Sequence, residues 1–99
     1  MRKIKQIKAS GNIFHDLGFE PVVAENLRVR AQLMTEIEKF IQEEKITQAK
    51  AATLFGVTQP RISDLVRGKI HLFGVDTLIT MLMHAGLRVN VEVKRPKAD

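Results

Sequence analysis

The sequence predicts a mainly α fold, a bundle of about five helices built around a helix-turn-helix and ending in a β-strand. Three observations carry this. Residues 47–67 read TQAKAATLFGVTQPRISDLVR, with Gly56 in the middle and Pro60 shortly after. Inside one helix, glycine costs about 1 kcal/mol and proline about 3 relative to alanine, so the stretch reads as two helices joined by a turn. Upstream, Val23, Leu27, Ala31, Met34, Ile37 and Ile41 recur at steps of three and four, one apolar face of a helix about 20 residues long. Near the end, RVNVEVKR sets Val89, Val91 and Val93 against Asn90, Glu92 and Lys94, the period of two that predicts a strand over about 88–95.

The elements follow in order. Residues 1–10 form a basic arm, and 11–99 a single domain. Asn12 is a cap for a short helix through Leu17, with Gly18 ending it in the left-handed conformation. Pro21 stands in the first turn of the long helix, where a missing N–H does no harm. Thr47 caps the next helix, which runs to Gly56. Thr58 caps the one after, with Pro60 in its first turn and Gly68 at its end. KIHLFG is a loop, and Leu78, Ile79, Leu82 and Ala85 mark a last helix over 75–85, ended by Gly86. Met81 and Met83 read as core filler or interface.

Composition narrows the chemistry. The chain has 99 residues, 44% of them hydrophobic, enough for one core. It contains no cysteine, which removes disulfides, thiolate catalysis and Cys-ligated zinc and suits a reducing cytoplasm. No apolar run reaches the roughly 20 residues that span a bilayer, so no membrane partner is expected. His15, His71 and His84 stand on three separate elements without ligand spacing, so no metal site is expected. With no Gly-rich phosphate loop and no nucleophile motif, neither a cofactor nor an enzymatic activity is expected. Net charge is +5, with basic excess over 1–8, 46–71 and 88–99 and near balance over 22–45. That pattern fits a polyanion or an ordinary basic surface.

Helix-turn-helix units that read DNA need small residues where the helices cross, a turn residue free to take positive φ, and an apolar inner edge on the second helix. Counting from Gln48, Ala51 and Ala52 supply the first, Gly56 the second, and Phe55, Val57, Ile62 and Leu65 the packing. Packed helix pairs also occur without DNA, so the unit alone leaves both uses open.

TQAKAATLFGVTQPRISDLVRGK resembles the helix-turn-helix of the Xre, or lambda-repressor-like, family. GNIFHDLGFEPVVAENLRVRAQLM and FGVDTLITMLMHAGLRVNVEVK extend the likeness to a subgroup of small Xre proteins that includes HigA-like antitoxins. The resemblance implies a dimeric, operator-binding repressor that is the antitoxin of a toxin–antitoxin pair. By position it implies Thr58, Gln59, Arg61 and Asp64 on the base-reading face and Gln48 at a phosphate. Gln59 can bond an adenine edge twice, and Arg61 can fork onto guanine or grip a phosphate. Asp64 can accept from a cytosine amine or pair with Arg61 three residues away. Lys50, Arg67, Lys69 and His71 are the neighbouring phosphate candidates. Pro60 stands where some relatives have a base-reading polar residue.

Two further expectations concern partners. The terminal strand, through Val89, Val91 and Val93, would pair either with a two-fold mate, giving a homodimer, or with RKIKQIK of its own chain. Ile13, Phe14, Leu17 and Phe19 would anchor a small basic ribonuclease toxin or cap the core. The acids of 16–44 would complement such a toxin's charge. The alternatives are a stand-alone or phage-derived regulator without a toxin, and an interaction module whose helix-turn-helix no longer binds DNA.

Overall fold

The computed structural model describes residues 12–95, so the basic arm over 1–10 lies outside the described residues. Five α-helices follow one another: α1 (Ile13–Asp16), α2 (Pro21–Glu44), α3 (Gln48–Phe55), α4 (Gln59–Val66) and α5 (Val75–His84). A single 3₁₀ turn, Ile70–Leu72, lies between α4 and α5.

The boundaries have local causes. Asn12 caps α1, its side-chain oxygen accepting from the N–H groups of Phe14 (3.0 Å) and His15 (3.3 Å). Its amide nitrogen donates to the Ala24 carbonyl at 3.2 Å, which ties the short helix to α2. α2 starts at Pro21 and stops at Lys45, a non-glycine residue held at φ 52°. Thr47 caps α3 by accepting from the Lys50 N–H at 3.1 Å. Thr58 occupies the cap position of α4 but makes no side-chain capping bond.

The core is aliphatic with two phenylalanines at its centre. Met34, Ile37 and Ile41 of α2 meet Ala51, Ala52 and Phe55 of α3, Ile62 and Leu65 of α4, Phe73, and Leu78, Met81 and Leu82 of α5. Phe40 packs edge-on to Phe55, centroids 5.8 Å apart. The long-helix stripe holds from Met34 onward. At the other end of α2 the buried residue is Ala24, while Val23 is exposed, because α1 packs on that end from a different side.

The C-terminal strand is the main correction. Among the described residues there is no β-strand, and the chain after Gly86 runs on without regular structure. Val89 packs against the core, but Val91 and Val93 are 75% and 91% exposed. Alternation makes a strand only where a second strand supplies the ladder, and no such neighbour lies beside 88–95 among the described residues. The fold is therefore a helical bundle without the predicted strand.

Candidate nucleic-acid interface

The turn between α3 and α4 meets the steric requirements set by its sequence. Ala51 is fully buried and Ala52 nearly so, which lets α4 cross close to α3. Gly56 ends α3 at φ 71°, a conformation that costs other L-residues about 1–2 kcal/mol. A second constraint lies above it: a Cβ at Gly56 would come within 2.8 Å of the His84 ring. That imidazole sits there because its Nδ1–H donates to the Leu54 carbonyl at 3.0 Å. A carbonyl only accepts, which fixes the proton on Nδ1. The end of α5 is thus pinned to the last turn of α3.

Ile62 and Leu65 dock α4 on the core, 0% and 2% exposed, so the opposite face of the helix is turned outward. Gln59 and Pro60 are exposed there, and with Ser63 and Gln48 they line one shallow groove between the starts of α3 and α4. Thr58 and Arg67 are exposed at the two ends of α4, whereas Lys50, also exposed, borders a separate groove with Ile46, Thr53 and Leu54. Ser63 was not among the residues expected from sequence. It stands four after Gln59, on the same side of the helix, and that spacing was the available signal.

The other candidates gather on the opposite flank, around the 3₁₀ turn. Arg61 does not extend along the groove. Its guanidinium carbon lies 4.3 Å from the centroid of the fully buried Phe73 ring, and its Nη1 donates to the Leu72 carbonyl at 3.2 Å. Asp64 pairs with Lys69, Nζ to Oδ1 3.5 Å, rather than with Arg61. The i+3 geometry is met, but Arg61 is drawn to Phe73 and Lys69 folds back onto α4. His71 is exposed at the middle of the turn. From the far side Arg30 of α2 reaches the Ile70 carbonyl at 3.4 Å, steadied by its own Nε–H donating to Asn26 Oδ1 at 2.7 Å.

The two partner-contact expectations lie away from this face. Ile13 and Phe14 of α1 are half-buried, whereas Leu17 (67%) and Phe19 (45%) are exposed, as are Val22 (78%) and Val23 (43%) at the start of α2. Phe14 and Phe19 meet edge to face with centroids 6.3 Å apart. On this helix Arg28 donates to Glu25. The bond holds the carboxyl below its usual pKa and the guanidinium above its own, against a small opposing effect of burial. No group of His, Cys, Asp and Glu able to hold a metal ion occurs among the described residues. Nor, among them, is any helix long and apolar enough to cross a membrane.

Residues 13–94 match the family model of the helix-turn-helix domain HTH_37. A solved structure described as an XRE family transcriptional regulator superposes with a TM-score of 0.68 at 27% identity. The match covers 74% of this chain and 82% of that one. Among curated proteins none matches. With its Gly56 turn, its crossing alanines and a family match over nearly all the described residues, the chain belongs to the helix-turn-helix domain family, and its helix-turn-helix is of the Xre type.

Proposed function

We propose that this protein is a sequence-specific DNA-binding transcriptional repressor that docks α4 in the major groove. The observation that carries this reading is the groove of Gln48, Gln59, Pro60 and Ser63, turned outward by a helix whose inner edge is locked in the core. Similarity to a protein described as an XRE family transcriptional regulator supports it. Gln59 and Thr58 reach base edges, with Asp64 at the margin of the reading face. Gln48, Lys50, Arg67, Lys69 and His71 lie along the phosphates and fix register without reading sequence. Arg61 lies on the flank of this face, against Phe73. Two copies bind half-sites about 34 Å apart, and the exposed apolar Val91 and Val93 of the C-terminal segment support self-association.

The test is selection from a random-sequence duplex pool followed by titration at several salt concentrations. A repressor of this kind recovers a two-fold symmetric site and prefers it at least 1000-fold over random DNA. Recovery of no consensus, with equal binding to all duplexes, would rule the reading out.

A second part of the proposal is that the protein acts as the antitoxin of a toxin–antitoxin pair, neutralising a small basic ribonuclease. The uncovered apolar surface of Leu17, Phe19, Val22 and Val23 supports a protein partner there, remote from α4. Glu25, Glu36, Glu38, Glu43 and Glu44 on α2 give the neighbouring helix a charge that suits a basic one. Co-purification with the product of the adjacent gene, lost on replacing Leu17 and Phe19 by serine, tests this.

A further inference from the structure

The 3₁₀ turn after α4 is tied to two helices. Two of its backbone carbonyls are each gripped by an arginine from a different helix: Ile70 by Arg30 of α2, Leu72 by Arg61 of α4. Its approach is fixed by the Lys69–Asp64 ion pair and by the Lys69 N–H donating to the Asp64 carbonyl at 3.1 Å. Its exit is fixed by Phe73, buried completely beneath the Arg61 guanidinium. Between these points the side chains of His71 and Leu72 are exposed.

We propose that Arg61 is a positioning residue for DNA binding. It holds the 69–73 turn against α4 so that Lys69 and His71 meet the phosphate backbone at a fixed offset from the bases read by Gln59. The inference rests on the DNA-binding reading above. A guanidinium stacked on a buried ring and bonded to a carbonyl has given its flat face and one donor to the protein. Its remaining donors would suffice for a guanine fork, but the head is held beside the turn and not along the groove of Gln59. An arginine acting through the turn instead leaves sequence preference alone and changes how well the turn's own contacts count.

The experiment is a binding cycle on the duplex selected by the wild-type protein and on a random duplex. It uses Arg61→Met, which keeps the aliphatic stem over Phe73, and a turn-stripped variant carrying Lys69→Ala and His71→Ala. Arg61→Met should weaken both duplexes about tenfold, the scale of one lost charge-assisted hydrogen bond. The base preferences of the selected site should stay unchanged. Combined with the stripped turn it should cost little more than the stripped turn alone, since each change removes the same contact. Arg61→Lys, which keeps the charge but not the flat fork, should not rescue.

A loss of preference at one base pair in Arg61→Met overturns the proposal in favour of direct reading. Additive losses overturn it in favour of an independent phosphate grip. A stripped turn that binds like wild type overturns it as well. Failure of the wild-type protein to bind any duplex would instead refute the DNA-binding reading. The clasp is then judged in the free protein: amide exchange at Leu72 and Phe73 should quicken in Arg61→Met, and unchanged protection refutes it.

Discussion

Gln59 and Gly56 are single residues with opposite demands on them. Gln59 is exposed at the start of α4, bears no structural contact among the described interactions, and has an amide suited to an adenine edge. Gln59→Ala is expected to leave thermal stability untouched and to reduce discrimination by about 1–3 kcal/mol, with non-specific affinity unchanged. Titrating cognate and single-substituted duplexes in parallel measures it. Gly56 has the opposite profile. Gly56→Ala forces a Cβ into positive φ and into the His84 ring, displacing the bond to Leu54. A loss of roughly 2–3 kcal/mol is expected, strain plus one hydrogen bond, read by chemical denaturation. Adding His84→Ala should relieve the collision but not the strain, so the double variant should fall well short of wild type. Arg61 looked from its position like a second Gln59. Its contacts with Phe73 and Leu72 give it a neighbourhood that no spacing rule along the chain contains.

Helix ends were the most legible elements, because capping chemistry is local. Asn12, Pro21, Thr47, Gly56, Gly68 and Gly86 each mark a boundary within a residue or two of where the structure puts it. The two threonines nevertheless differ. Thr47 accepts from the Lys50 N–H, while Thr58 makes no such bond. Thr47→Ala is therefore expected to cost about 1 kcal/mol, whereas Thr58→Ala should cost a few tenths at most. Thermal melts of both, side by side, decide it. The segment 88–95 was misread because period-two alternation describes a face, not a partner. With no strand to pair its backbone among the described residues, the segment keeps the pattern without the ladder. The clasp around Ile70–Leu72 was illegible for a related reason. Arg30 and Ile70 lie far apart in sequence, and only the packing of α2 beside the turn brings them together.

At the scale of the molecule, the proposed contact surfaces fall on different elements. The exposed side of α4 and the turn after it carry Arg67, Lys69 and His71. The start of α2 carries an uncovered apolar surface, and the C-terminal tail a second one. Val91 and Val93 stabilise little within one chain, so replacing both with lysine should leave the melting temperature of the isolated domain unchanged. If two copies meet through this tail, the same change should shift sedimentation from dimer toward monomer. It should also lower operator affinity, since one half-site alone engages too few phosphates. An intact dimer in that variant would move the interface elsewhere, with α5 and its exposed Met83 the next surface to probe. Charge balance along the sequence suggests such a division but does not say which residues of each patch are covered. Leu17 and Phe19 are exposed while Ile13 and Phe14 are half-buried, although all four read alike as apolar letters.

The contact between His84 and the turn has a consequence for how this sequence can drift over generations. An imidazole fits only above a residue with no side chain, and the backbone at 56 favours glycine whatever stands above it. The dependence therefore runs one way. Lineages can exchange His84 for a smaller residue and keep Gly56, losing only a tether to Leu54. Lineages that abandon Gly56 with His84 still in place lose that tether on top of the strain at 56, so among descendants of this chain a bulky residue at 56 should be paired with histidine at 84 far less often than with a smaller residue.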